Sequence, residues 1–119
     1  MPNIQKKRFE SPDNTLSFDK TKVELVKLGD STIGRGTLEP GWSWEKCVKP
    51  TVKTESCQLA HTHYIVSGRL KVIMNDGTEE EFGPGEVGYV PPGHNSIVVG
   101  NEPVVMLDFT GLKDLPNTG

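Results

Sequence analysis

The sequence predicts an all-β domain of short antiparallel strands, and three observations carry that expectation. Turn formers are dense, with 13 glycines and 9 prolines among 119 residues. Short apolar runs alternate with polar residues, and none shows the three-and-four spacing of an amphipathic helix. Turn signals interrupt these runs roughly every 8–12 residues, the rhythm of a sandwich or barrel and not of a parallel sheet with crossover helices. A chain of this length supports one core, hence one domain.

Residues 1–20 are polar and irregular, with a turn at Ser11-Pro12-Asp13-Asn14, and are expected to form an arm around the barrel or across a partner subunit. The barrel is expected over residues 21–112, with a tail at 113–119. Val23, Leu25 and Val26 mark a strand over 22–28, and Ile33 and Leu38 another over 32–39, bounded by Gly29-Asp30 and Pro40-Gly41. Trp42 and Trp44 follow with shared parity and are expected to pack on the barrel wall, the alternative being a place in a ligand mouth or dimer seam.

Residues 58–66 lead to Gly68 and to the alternating Leu70, Val72 and Met74. Asn75-Asp76-Gly77 supplies residues that tolerate positive φ, so 70–74 and 78–82 should pair as a hairpin, with Glu79-Glu80-Glu81 on its solvated side. Gly83-Pro84-Gly85 precedes a strand over 86–90, Pro91-Pro92-Gly93 makes the next turn, and strands over 96–99 and 104–109 complete a set of nine or ten.

Composition narrows the function. The formal charge is −3, from 16 acids against 13 bases, and Lys6-Lys7-Arg8 is the only basic cluster. It reads as a solvated arm, so no nucleic-acid partner is expected. No run approaches the ~20 apolar residues of a membrane span, and the N-terminus lacks the apolar stretch of a signal peptide, so a soluble cytoplasmic protein is expected. In that compartment Cys47 and Cys57 read first as thiols or ligands, and a disulfide is the lesser alternative. Gly-x-Ser-x-Gly, Walker-type and CxxC patterns are missing, which leaves hydrolase, nucleotide and thioredoxin chemistry without support.

The stretch Tyr64 to Leu70, followed by Asp76-Gly77, Gly83-Pro84-Gly85-Glu86 and Val90-Pro91-Pro92-Gly93-His94, resembles the centre of a cupin, a single jelly-roll barrel. The resemblance covers residues 32–110. Gly85, Pro91 and Gly93 match the second cupin motif, with Ser96 at its histidine position and His94 two residues earlier. In the first motif, counting from Gly41 sets Cys47 and Lys49 at the histidine positions, followed by Pro50. Counting back from Gly68 sets His61 at the glutamate position, so residues 50–60 read as an inserted loop. A subgroup of small single-domain cupins is more similar still, matching at Cys57, His61, Tyr64, Gly68 and Pro91-Pro92-Gly93-His94.

The resemblance implies a lumen with a site in it, and strand geometry sharpens the expectation. Side chains alternate faces, so if His61 is inward then His63 is too, Cys57 keeps the same parity, and Tyr64 faces away. Cys47, Cys57, His61 and His94 are the candidate metal ligands, for a divalent transition metal among Zn, Fe, Ni and Mn. His63, Lys49 and Ser96 are the candidate substrate contacts. Against this stands a plainer alternative, in which the histidines bond to buried backbone or water and the cysteines act as small hydrophobes. Two functions follow: a small-molecule-binding protein with a lumenal metal, open to catalysis on a small polar metabolite, or a metal-free binding or sensor module. The fold alone chooses neither. Single-domain cupins commonly pair through their sheets, so a homodimer is expected.

Overall fold

Two antiparallel sheets face each other across a shared apolar core in the computed structural model, which describes residues 3–112. The strands are β1 (Asn14–Phe18), β2 (Thr21–Leu28), β3 (Ser31–Leu38), β4 (His61–Ser67), β5 (Arg69–Met74), β6 (Glu79–Phe82), β7 (Val87–Val90), β8 (His94–Val99) and β9 (Val104–Asp108). Their order is β1-β2-β3-β9-β4-β7 in the larger sheet and β6-β5-β8 in the smaller. Nine strands in two packed sheets make the expected jelly roll. No described helix is long and apolar enough to cross a membrane. The proposed tail at 113–119 lies outside the described residues.

Local chemistry explains the elements. In β5 the inward Leu70 and Val72 alternate with more exposed neighbours. The turn to β6 closes with Gly77 at φ +93° and the Thr78 N–H donating to Asp76 Oδ1 at 2.9 Å. The three glutamates are exposed, and two of them pair across the hairpin with Arg69 and Lys71.

The chain crosses between sheets at Gly68, between β4 and β5. Its φ is +79°, and a Cβ there would lie 2.3 Å from the Pro103 carbonyl oxygen, so only glycine fits. On either side Ile65 and Val104 are fully buried, each contributing about 1.5–3 kcal/mol through loss of water contact. The main core joins these to Leu38, Trp42, Trp44 and Met106, and a smaller cluster of Leu16, Val23 and Leu25 lies under β1 and β2.

Two expectations need correction. Residues 1–20 are not irregular throughout, because Asn14–Phe18 pairs along its whole length with β2. Leu16 is 1% exposed and anchors it; flanked by polar residues, a single inward leucine was too little pattern to show as a strand. Nor is 50–60 loop throughout: residues 50–52 lie in the second of two helical turns, α1 (Trp44–Cys47) and α2 (Lys49–Val52), while 53–60 is the expected loop, with only an isolated bridge at Cys57. Ser43 caps the first by accepting from the Lys46 N–H, and Pro50 sits in the first turn of the second, where its missing N–H costs nothing.

Candidate metal centre

The period of two along β4 brings His61, His63 and Ile65 to the inner face, while Tyr64 faces outward at 36% exposure. His94 opens β8 on the opposite sheet. Cys57 belongs to neither sheet; an isolated bridge holds it beside His94, its N–H donating to the His94 carbonyl at 2.7 Å and its own carbonyl accepting from Gly93 at 2.7 Å. Three separate segments therefore converge. Cys57, His61 and His94, all at least nine-tenths buried, place one donor atom each within 4.8 Å of one another.

The hydrogen bonds around these residues set their tautomers. His61 Nδ1 is 2.7 Å from Asp108 Oδ2, and His94 Nδ1 is 2.8 Å from the Pro91 carbonyl oxygen. Both oxygens accept, so both Nδ1 atoms carry hydrogen. Lone pairs are thereby left to Nε2 of each ring when the ring is neutral. His61 Nε2 lies 3.6 Å from Cys57 Sγ, and the two imidazoles meet edge to face with centroids 5.2 Å apart.

The electrostatics follow. Burial pushes the Cys57 thiol upward, but hydrogen bonds from His61, His94 and the Leu59 backbone together outweigh it and bring the thiol down to about 6. Burial also disfavours the charged form of His61, and is outweighed in turn by its bonds to Asp108 and Cys57, which raise the imidazole to about 9. At neutral pH the pair is a thiolate beside an imidazolium. His63 behaves oppositely: burial, helped by the neighbouring histidines, lowers it, so its ring is neutral. Its Nε2 makes no hydrogen bond, and its ring stands edge to face with Phe82 at 4.7 Å.

Beside this cluster lies a cavity of about 70 Å³, lined chiefly by apolar side chains including Leu38, Trp42, Trp44, Val72 and Met106. Cys57, His61, His63, His94 and Ser96 also line it, so five of the seven residues singled out in the sequence meet in one place. The other two do not. Cys47 sits on α1, not on a strand, with its Sγ 3.8 Å from Asp19 Oδ2 and its side chain in the core. Lys49 begins α2, its Nζ 3.6 Å from Glu55, and does not line the cavity. Both placements were projected through a motif spacing that presumes a strand, whereas this stretch is helical. Cys47 and Cys57 are both free of any disulfide.

Two members of the site were missed. Asp108 is 1% exposed and shares parity with the inward Val104 and Met106, so an acid at the end of an alternating apolar strand was the available signal. Gly111, at φ +80°, is packed so closely that a Cβ would lie 2.4 Å from His61 Nδ1. Nothing local in the sequence marks that approach.

No protein-family model matches the chain, and no curated protein does. Solved structures do match. A structural-genomics protein of unknown function from Rhizobium leguminosarum is 26% identical, with 92% of this chain and 98% of that one aligned at a TM-score of 0.63. A cupin-superfamily sugar phosphate isomerase from Silicibacter pomeroyi is 15% identical over 90% of this chain and 75% of that one, with a TM-score of 0.64. An oxalate decarboxylase from Lactobacillus farciminis, in complex with formate, is 19% identical at a TM-score of 0.59; 82% of this chain covers only 30% of it. The protein therefore has the cupin fold. Within it stands a buried Cys/His/His cluster next to a small cavity.

Proposed function

We propose that this protein binds a small molecule in its barrel beside a divalent transition metal held by Cys57, His61 and His94. The supporting observation is the pre-set donor set: one donor atom each from Cys57, His61 and His94 within 4.8 Å of one another, with both Nδ1 atoms already committed to Asp108 and Pro91. A metal-ligating histidine characteristically gives its other N–H to a carboxylate or carbonyl in this way. Three protein donors leave coordination open for a ligand, as in catalytic rather than structural zinc sites, and a thiolate with two imidazoles favours Zn(II) or Fe(II) over Mn(II). When bound, such an ion polarises an oxygen of a small molecule or serves in oxygen activation. The chain's own contribution is orientation and exclusion of water: Asp108 and the Pro91 carbonyl fix the rings, and the apolar wall keeps the lumen at low dielectric.

Elemental analysis of untagged protein before and after His61→Ala tests this reading. A metal near one per chain that falls sharply in the variant is expected. Content below about a tenth per chain in both, with no uptake of added Zn(II), Fe(II), Ni(II) or Mn(II), would refute it.

One observation favours a second reading, a metal-free binding or sensor module. Cys57 and His61 already satisfy each other at 3.6 Å, so the cluster is electrostatically complete without an ion. A metabolite that raises the melting temperature equally with and without chelator supports this alternative.

A further inference from the structure

Outside the Cys57/His61/His94 cluster, the polar side-chain atoms of the cavity-lining residues are of three kinds: committed, sealed and reachable. Thr21 and Trp42 are committed, since Thr21 Oγ1 accepts from Trp42 Nε1 at 2.7 Å and donates to the Asp19 carbonyl at 2.7 Å. Trp44 Nε1 and His63 Nε2 are sealed: neither has a hydrogen-bond partner, and neither opens on space that a bound molecule could enter. Ser96 is the remaining kind. It is 7% exposed and lines the cavity from the inner face of β8, two residues from His94. Its Oγ bonds to no described residue and is not among the sealed atoms, so it opens on the cavity itself. A hydroxyl this buried is costly without a partner, and a bound molecule can supply one. Inward residues two apart on a strand lie ~7 Å from one another, so Ser96 stands beside the metal-binding cluster without belonging to it.

We infer that Ser96 is the specificity residue of this site, its hydroxyl donating to one oxygen of a small monoanionic acid whose other oxygen faces the metal and whose aliphatic body lies against the apolar wall. The inference rests on the proposed metal centre and deepens it. A divalent ion held by one thiolate and two neutral imidazoles keeps a single net positive charge, which a monoanion balances. Nothing on the wall serves a second negative charge: no lysine or arginine lines the cavity among the described residues, and the nearby Asp108 carboxylate lies behind His61. Away from the cluster the wall includes Leu38, Leu70, Val72 and Met106, which favour an aliphatic body over a second carboxylate. Size agrees, because about 70 Å³ at the ~10–15 Å³ needed per water is space for about five waters or an acid of about six heavy atoms.

Full-length protein loaded with Co(II) gives a readout that needs no turnover, because the visible spectrum of the ion reports what coordinates it. Co(II) uptake is measured first, and the loaded protein is then titrated with isobutyrate, succinate and azide. Isobutyrate should change the spectrum saturably, at concentrations at least about ten-fold below succinate, whose second carboxylate meets the apolar wall. Ser96→Ala removes the hydroxyl alone. It should weaken isobutyrate by about five- to ten-fold while leaving azide, which needs only the ion, within about two-fold of wild type. Unchanged isobutyrate binding in Ser96→Ala would overturn the inference, as would equal weakening of isobutyrate and azide, tighter binding of succinate, or a loaded wild type that ignores isobutyrate. If the variant does not fold, the wild-type ranking of isobutyrate over succinate decides alone. Protein that takes up no Co(II) loses the metal centre and this inference with it, whereas stoichiometric uptake with binding indifferent to Ser96 removes this inference and keeps the metal centre.

Discussion

Asp108 Oδ2 accepts a 2.7 Å hydrogen bond from His61 Nδ1, joining β9 to β4 between residues 47 apart in sequence. The other carboxylate oxygen accepts from the Thr110 N–H at 2.7 Å, so the acid is held from both sides. This contact turns His61 from a buried histidine into an oriented donor.

Asp108→Asn keeps an acceptor at the same place but removes its charge. We expect metal affinity to fall by about 10–100-fold with the fold intact, as is usual when the carboxylate behind a ligating histidine is lost. Chelator competition read alongside circular dichroism checks this, and an unchanged affinity would show that the bond is only structural.

Metal binding should release a proton. In the metal-free protein at neutral pH the pair holds one proton, on His61, because the thiol sits at about 6 and the imidazole at about 9. Coordination needs thiolate and neutral imidazole together, so about one proton leaves per ion. Calorimetry in buffers of different ionisation enthalpy measures that number.

The pH dependence of metal-free stability turns on the same pair. His61 is raised above its unfolded value, so its contribution is complete below ~6.5 and is lost as pH rises through about 9. Cys57 is lowered, so its contribution is complete above ~8.5 and is lost as pH falls through about 6. Between these limits the two trends oppose, and wild-type stability should be nearly flat. Cys57→Ser removes one of them; stability should then fall as pH rises from ~6.5 toward 9, by at most about 1.4 kcal/mol per pH unit. Denaturant titrations across that range decide, and a flat profile in the variant would refute the coupling.

Gly111→Ala should damage the site from outside it. A methyl there meets the Ala60 carbonyl oxygen and His61 Nδ1, both at 2.4 Å, on a backbone at φ +80°. A loss of about 1–3 kcal/mol is expected, together with weaker metal binding. A variant as stable and as metal-competent as wild type would show that the His61 ring can shift freely.

Much of this architecture was legible because period-two patterning and turn chemistry are local. The β5–β6 hairpin is spelled out by Leu70, Val72 and Asn75-Asp76-Gly77, and parity alone brings His61 and His63 to the same face. Cys57 and His94 were recoverable from the small-cupin pattern. Cys47 and Lys49 went astray because a spacing learned from strands was laid over residues that form α1 and α2. Asp108 and Gly111 act through approaches made only when β9 and the residues after it fold against β4, which no window of neighbouring residues reveals.

The homodimer remains a proposal, now with a location. Val87 and Tyr89 are 70% and 64% exposed on β7, the end strand of the larger sheet, beside the exposed Tyr64 and Val66 of β4. An uncovered apolar edge of this kind suits pairing with a second copy. Sedimentation should show a dimer that Val87→Asp with Tyr89→Asp converts to monomer, and a wild-type monomer at high concentration would refute it.

His61 belongs to the six-stranded sheet and His94 to the three-stranded one, while Cys57 rides on the segment that links α2 to β4. An ion seated among them would act as a clasp across the sandwich, since its halves could not part without breaking coordination. Loading should therefore slow unfolding far more than it speeds folding, making the persistence of the barrel a gauge of the metal supply around it.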